Sequence, residues 1–275
     1  AYHGETLLTL SVSDLGLYKQ PYQAWMSKCH FISEIPYVSG KEDPLWENCQ
    51  DYFASTEKFI RERASTTTAL IVEPIVQGAG GMKIYSQDFL KKLALLANEL
   101  DIDLIADEIM TGFYRTGTLM GHFHAKEIKP DLICLGKGLT AGWLPLSAVM
   151  VSKRFFDYFY DDYSKNKNFL HSHTHSGNVL AAAVAFEALK TFEKENIYSQ
   201  VKQLEPKLKM NMTQVAEQTG LLENIRNIGG IVAADLKTNK FANPRAGFEV
   251  FKKALELGAF LRPLGNTIYW LPPLN

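Results

Sequence analysis

The residue best suited to covalent chemistry is Lys137, which follows an apolar run and lies between two glycines in Gly136-Lys137-Gly138. Most lysines are solvated surface residues, so the residue type by itself indicates little. A lysine at the carboxyl end of a buried strand, however, loses its proton more readily and can act as an amine nucleophile that forms a Schiff base. Its position therefore makes Lys137 a candidate for covalent attachment of a carbonyl compound.

A carboxylate stands one strand unit earlier, because Asp107 closes the apolar run Leu104-Ile105-Ala106. An aspartate at such a place is often only a turn former or a helix cap. Its functional interpretation is the carboxylate that keeps a pyridine nitrogen protonated, so that the ring can accept electrons from a carbanion. A lysine for the imine and an aspartate for the ring nitrogen, each at a strand end of one sheet, match the needs of pyridoxal phosphate chemistry.

Arg262 lies in the apolar segment 259–263. An unpaired guanidinium in such surroundings would be costly, so we expect it to have an anionic partner. That partner is either a carboxylate of the chain, in a structural ion pair, or the carboxylate of a substrate.

Three histidines, His171, His173 and His175, alternate along the chain. On a strand they would share one face and could bind zinc. No Asp, Glu or Cys lies close to them in sequence, which weakens this zinc-site hypothesis. A zinc-dependent hydrolase therefore remains an alternative from a different class of enzyme.

The elements that must position these residues follow from hydrophobic patterning. A helix with a plausible N-cap at Ser86 separates the first two of four short apolar runs, which makes a βαβ unit. The runs predicted as strands, apolar on both faces and so covered by helices on both sides, are 69–72, 103–106, 131–135 and 146–151. Such units form a mainly parallel sheet whose ligands bind at the carboxyl ends of the strands, which directs attention to Glu73, Asp107 and Lys137.

The second half of the chain predicts a smaller α+β domain. Beyond Gly229-Gly230, strand and helix patterns alternate over shorter lengths, and Pro206 should begin or kink the preceding helix. The predicted elements are helices at 178–193, 201–219 and 245–257, and strands at 231–236 and around Ile268 and Tyr269. We therefore predict an α/β protein with a large domain at 1–200 and a small C-terminal domain at 201–275.

Composition restricts the class of partner. The 275 residues are 46% hydrophobic and carry 29 basic against 30 acidic residues, so nothing indicates binding to nucleic acid or to a membrane surface. Three widely separated cysteines indicate a reducing compartment, and we expect a cytoplasmic protein. Because the chain starts without Met and stops abruptly, we expect it to be an internal piece of a longer protein, incomplete at both ends.

Two ordered motifs make a family resemblance specific. The stretches DEIMTGFYRTG at 107–117 and PDLICLGKG at 130–138 resemble the signature of class III aminotransferases, which are fold type I pyridoxal-phosphate enzymes. The resemblance covers essentially the whole chain. It includes YHGET at 2–6, EPIVQGAGGM at 73–82 and RPLGNTIY at 262–269.

The resemblance implies a role for several residues around pyridoxal 5'-phosphate. Lys137 would be the catalytic lysine that carries the cofactor, and Asp107 would pair with the pyridinium nitrogen. Tyr2 would stack its ring on the cofactor and also contact substrate. Glu73 would belong to the polar shell of the site. Without the resemblance, Tyr2 reads as an exposed aromatic residue and Glu73 as a strand-ending residue.

The histidine-containing segment HSHTHSGN at 171–178 resembles a family motif in which the threonine reaches the cofactor phosphate of a neighbouring subunit. His173 and Thr174 would then bind cofactor, Ser172 would lie near substrate, and the protein would be a homodimer with shared active sites. Ser172 and His175 replace a glycine and an aromatic residue that are usual in the family, which puts the local backbone shape in doubt.

The same resemblance implies that Arg262 binds a substrate carboxylate in a bidentate pair, with Tyr269 nearby. Within the class, the chain is most similar to the branch that uses S-adenosylmethionine and 8-amino-7-oxononanoate in biotin synthesis. Another ω-aminotransferase, acting on ornithine, 4-aminobutyrate or a diamine, is the alternative, although such enzymes usually have Gln where this chain has Met110. A catalytically inactive protein of the same fold, used for binding, also remains open.

Overall fold

The computed structural model describes all of residues 1–275. It contains ten strands in three sheets and eight α-helices. The strands are β1 (Tyr37–Val38), β2 (Ala69–Val72), β3 (Val76–Gln77), β4 (Lys83–Tyr85), β5 (Asp103–Asp107), β6 (Leu132–Leu135), β7 (Ala148–Val151), β8 (Leu222–Ile228), β9 (Ile231–Leu236) and β10 (Thr267–Trp270).

The helices are interspersed with groups of strands along the chain, and α4 connects β2–β4 to β5. They are α1 (Leu7–Ser11), α2 (Gly16–Lys19), α3 (Gln50–Arg61), α4 (Gln87–Glu99), α5 (Lys153–Phe159), α6 (Val179–Lys194), α7 (Ile197–Thr219) and α8 (Ala246–Glu256). No helix of this chain combines the length and the apolar character that a bilayer-crossing segment needs.

The sheet that carries Asp107 has the strand order β2-β5-β6-β7. The pairs β2 with β5 and β5 with β6 are parallel, which confirms the mainly parallel sheet predicted from the sequence. The pair β6 with β7 is antiparallel. Because parallel neighbours end at the same edge, the carboxyl ends of β2, β5 and β6 lie side by side.

Helix α4 begins where its sequence predicts. The Ser86 hydroxyl accepts a hydrogen bond from the Phe89 backbone N–H at 3.3 Å, which satisfies a free amide of the first turn. One face of the helix is then buried in the largest core of the molecule through Phe89, Leu90 and Leu93. Burial of such side chains is worth about 1.5–3 kcal/mol each, so α4 anchors β2 and β5 in the positions that carry Glu73 and Asp107.

The C-terminal sheet is antiparallel in the order β10-β9-β8. Helix α7 covers it by burying Leu208 and Met212 among strand residues. The sequence-based start of this helix at Val201 was wrong, because the Asn196 side chain caps a helix that already begins at Ile197 and contains Pro206. The predicted domain boundary at residue 200 falls within α7 and stays a prediction.

Strand β7 is not covered by helices on both faces, as the sequence had predicted it to be. All four of its residues are exposed, and so is every residue of the segment 161–180. The prediction that this strand is covered on both faces was therefore wrong for the chain as it stands. Apolar patterning indicates a buried strand, but it does not tell whether the covering groups come from the same stretch of chain.

Candidate active site

Asp107 lies at the carboxyl end of β5 with only 5% of its surface exposed. Its Oδ2 is 2.8 Å from Nδ1 of His3, and its Oδ1 accepts a hydrogen bond from the Ile109 backbone N–H at 3.1 Å. His3 is held in turn by its backbone N–H, which donates to the Ser13 hydroxyl at 2.9 Å. This buried pair fixes the direction of the carboxylate.

Sequence reasoning missed His3. The two partners are 104 positions apart, and a single histidine after an aromatic residue has no spacing signal of its own. The Nε2 atom of His3 is buried and has no hydrogen-bond partner within the chain. Such an atom is costly unless something else satisfies it, which makes the His3 imidazole a polar group with one nitrogen still to be paired.

Glu73, immediately after β2, is also buried. Its Oε1 accepts from the Tyr2 backbone N–H and its Oε2 from the Gly78 backbone N–H, both at 3.0 Å. Burial raises the pKa of the Glu73 carboxyl, and these two backbone hydrogen bonds oppose the rise. Glu73 thereby fixes the backbone position of Tyr2, from which the aromatic ring extends. The sequence did not predict this arrangement.

Glu108 is a second carboxylate that sequence reasoning passed over. It is fully buried, and it accepts hydrogen bonds from the backbone N–H groups of Gly121 and His122, both at 2.8 Å. The Thr111 hydroxyl donates to it at 2.5 Å, and His122 Nδ1 lies at 2.7 Å. These contacts close the loop 109–122 that follows Asp107 and so hold the end of β5 in place.

Lys137 begins a 3-10 turn directly after β6. Asp107 pairs with Cys134 in the parallel register, so the two predicted residues leave neighbouring strands at the same edge. Lys137 has a left-handed φ of 40°, and a Cβ at Gly138 would come within 2.9 Å of the Phe113 ring. The lysine side chain is exposed, although it follows the strand end as predicted.

The segment 169–178 is a loop with a turn, not a strand. The premise that His171, His173 and His175 share one strand face was therefore wrong, and no group of side chains in the chain is arranged to hold a metal ion. Ser172, His173 and Thr174 are all exposed. The loop ends where the Asn178 side chain accepts from the Ala181 backbone N–H at 3.0 Å and so caps α6.

Arg262 lies in a loop before β10, and its side chain is exposed. The expected apolar surroundings and the structural ion pair were wrong, since the residue is exposed and no carboxylate of the chain pairs with it, while the substrate carboxylate stays the predicted partner. Partial burial and a hydrogen bond to Glu5 raise the pKa of Tyr2, and the positive charge of Arg262 opposes that rise. Tyr269 is half-buried on β10.

These residues fit pyridoxal phosphate. A protonated pyridine nitrogen needs a fixed anionic partner shielded from water, and the buried Asp107 held by His3 is such a group. Covalent attachment needs a primary amine with no competing carboxylate, and Lys137 forms no ion pair.

Comparison with known proteins identifies close relatives of this chain. The model of the family "Aminotransferase class-III" matches residues 1–275. The adenosylmethionine-8-amino-7-oxononanoate aminotransferase of Helicobacter pylori is 39% identical over 99% of this chain and 61% of its own length. The protein of the same name from Aquifex aeolicus is 34% identical over 100% of this chain and 62% of its own length.

Solved structures agree with these sequence matches. The crystal structure of adenosylmethionine-8-amino-7-oxononanoate aminotransferase from Methanocaldococcus jannaschii superposes with a TM-score of 0.83 at 30% identity, covering 100% of this chain and 62% of that one. An amine transaminase from an uncultivated Pseudomonas species, solved in its PLP-bound form, gives a TM-score of 0.85 at 30% identity, covering 100% and 63%. The chain therefore spans about three fifths of the length of the relatives it matches.

Proposed function

This chain belongs to the class III aminotransferase family, and from that membership we propose that the full-length protein is a pyridoxal-phosphate-dependent aminotransferase. Its amino donor is S-adenosylmethionine and its acceptor is 8-amino-7-oxononanoate, which places it in biotin synthesis. Support for these substrates comes from the names of the similar curated proteins, at up to 39% identity.

One observation carries the proposal. A buried carboxylate, Asp107, closes a strand whose parallel neighbour leads within three residues to Lys137. His3 and the Ile109 amide hold that carboxylate in one direction, so it can pair with a protonated ring nitrogen. Asp107 and Lys137 thus lie at the ends of adjacent strands, at the same edge of the sheet. A single cofactor ring that contacts both residues requires such an arrangement.

When bound, pyridoxal phosphate supplies an electron-withdrawing ring that stabilises negative charge at the substrate Cα. Lys137 Nζ would hold the cofactor covalently, and as a free amine it would take the proton from the substrate Cα and return it as general base and acid. Asp107 keeps a proton on the ring nitrogen. Tyr2 packs its ring on the cofactor, and its backbone position is set by Glu73.

Substrate recognition falls to the C-terminal part of the chain. Arg262 offers an exposed, planar guanidinium without a carboxylate partner in the chain, which suits a bidentate pair with a substrate carboxylate. Tyr269 and Ser172 contact the remainder of the substrate. His173 and Thr174 bind the cofactor, Thr174 at the phosphate of a second subunit, so that two copies of the protein share each active site.

The test is a panel of donors on the full-length protein. The cofactor absorbance should change with S-adenosylmethionine and be restored by 8-amino-7-oxononanoate, with mass spectrometry identifying 7,8-diaminononanoate. Ornithine, 4-aminobutyrate and lysine serve as competing donors. A faster response to one of these donors would replace the donor assignment, and no response to any amine would reject the activity itself.

A further inference from the structure

Arg226 on β8 is a buried cation that the proposed reaction does not use. Only 7% of its surface is exposed. Its guanidinium makes a bidentate pair with Asp235 on β9, with Nη2 at 2.8 Å from Oδ1 and Nη1 at 3.1 Å from Oδ2. The Thr267 hydroxyl donates to the same Asp235 carboxylate at 2.8 Å. One side of the arginine thus joins all three strands of the C-terminal sheet.

The other side of the same guanidinium reaches out of that sheet. Nη2 donates to the Gly81 carbonyl at 2.6 Å and Nε donates to the Met82 carbonyl at 3.0 Å. Both carbonyls belong to the turn between β3 and β4, about 145 positions earlier in the chain. Gly81 has a left-handed φ of 108° and Met82 one of 50°, so the turn has little freedom to present its carbonyls in another way.

That turn is bonded at its far end to the candidate active site. Its closing hydrogen bond runs from the Met82 backbone N–H to the Gly78 carbonyl at 2.9 Å. The Gly78 backbone N–H donates to Glu73, and Glu73 accepts from the Tyr2 backbone N–H. A continuous set of hydrogen bonds therefore leads from Arg226 to the backbone of Tyr2.

The two ends of this connection carry the two halves of the proposed site. Tyr2, Glu73 and Asp107 stand on the cofactor side, whereas Arg262 and Tyr269 belong to the C-terminal sheet and the loop before it. A carboxylate held by Arg262 has to meet a cofactor held by the first group. Their separation therefore depends on what fixes the sheet to the β3–β4 turn.

We propose that Arg226 is a positioning residue, which sets the distance between the carboxylate-binding side and the cofactor side of the site through the Gly81 and Met82 carbonyls. The proposal rests on the function inferred above. A lysine at this position keeps the charge opposite Asp235 but lacks the planar fork that serves both partners at once. Arg226→Lys should therefore loosen the turn more than it loosens the sheet.

Hydrogen exchange on the cofactor-free full-length protein tests this without any activity. In Arg226→Lys, exchange at the Tyr2 and Gly78 amides should rise about tenfold, the effect of losing roughly one charge-assisted hydrogen bond. Arg61→Lys is the matched control, since Arg61 makes a bidentate pair with Glu99 far from the turn, and it should leave both amides unchanged. Faster exchange confined to β8, β9 and β10 would overturn the proposal.

A second variant changes the β3–β4 turn instead of the arginine. It also tests the proposal if Arg226→Lys does not fold. Gly81→Ala strains a left-handed residue while its Cβ meets nothing nearer than the Thr267 hydroxyl at 3.7 Å. It should accelerate exchange at Tyr2 and Gly78 in the same way, and unchanged exchange there would refute the connection.

Steady-state kinetics complete the test. Arg226→Lys should raise KM for the keto acid about tenfold while kcat changes by less than about threefold, because ground-state positioning of the carboxylate is what suffers. A fall in kcat with KM unchanged would also count against Arg226 as a positioning residue. If the wild-type protein transaminates nothing, the proposed function fails, whereas the exchange result still decides whether Arg226 acts on the turn.

Discussion

The two edges of the candidate site differ in where their partners come from. At the closed edge, formed by Tyr2, His3, Glu73, Asp107 and Glu108, the carboxylates are buried and bonded to groups of the same chain. At the open edge, formed by Lys137, β7 and the loop 169–178, side chains are exposed and largely without partners. The carboxylates of the first edge find their partners within the chain, whereas the exposed side chains of the second edge are available to other molecules.

This difference separates stability from activity. Removing a buried carboxylate leaves its donors unsatisfied, and that cost appears in the free energy of unfolding even when no ligand is present. Removing an exposed side chain that has no partner costs little in the isolated protein. Substitutions at the closed edge should therefore destabilise the protein, and substitutions at the open edge should impair function with little change in stability.

The largest effect should come from Lys137. Lys137→Ala should lower transaminase activity by about 10⁴-fold or more, since it removes both the covalent attachment and the proton carrier. Its free energy of unfolding without cofactor should stay within about 0.5 kcal/mol of wild type, because the side chain is exposed. Borohydride reduction and peptide mapping of the wild-type protein should find the cofactor label on Lys137, and a label on another lysine would remove this assignment.

Glu108 should give the strongest effect on stability. Glu108→Ala leaves the Thr111 hydroxyl and the amides of Gly121 and His122 buried without an acceptor, and should cost about 3–5 kcal/mol in the free energy of unfolding. Urea denaturation without cofactor measures this.

Glu99→Ala is the matched control for that experiment, because its carboxylate pairs with Arg61 at the surface. The control should barely move the urea midpoint. Equal midpoints for the two variants would show that the closed edge is not held by Glu108.

Arg262 is exposed like the open edge, although it lies in the loop before β10, and it tests the substrate side of the site. Arg262→Ala should reduce kcat/KM for the keto acid by about 10- to 100-fold, the range expected for losing a charge-assisted hydrogen bond to a carboxylate. Arg262→Lys should recover only part of this, because an ammonium cannot form two parallel hydrogen bonds. The cofactor absorbance should not change, and kinetics equal to wild type would exclude Arg262 from carboxylate binding.

Dimers mixed from two inactive variants should give the smallest signal. They also provide the sharpest test of whether two subunits share each active site. If Lys137→Ala and Thr174→Ala proteins are each inactive, an equal mixture after subunit exchange should recover about a quarter of wild-type activity, since half of the dimers then contain one intact site of two. Native mass spectrometry verifies the exchange. Verified hybrids without activity would place Thr174 and Lys137 of one site on the same subunit.

Local patterns in the sequence were sufficient for the elements that build the sheet. Short apolar runs predicted β2, β5 and β6, and the hydroxyl of Ser86 predicted where α4 begins, because caps and periodicity act over a few residues. The order of Asp107 and Lys137 after their strands followed from the same patterns. The family resemblance supplied the roles of Tyr2 and Thr174, which patterning alone did not assign.

Only the tertiary structure decided which distant groups meet. His3 reaches Asp107 across 104 positions, and Arg226 reaches Gly81 across 145. Neither contact has a spacing that marks it in the sequence. Tertiary structure also decided that β7 runs antiparallel and uncovered and that Arg262 is free, because burial depends on what packs against a segment and not on the segment's own residues. Composition and order thus determined the sheet, and long-range packing determined the shape and the partners of its functional edge.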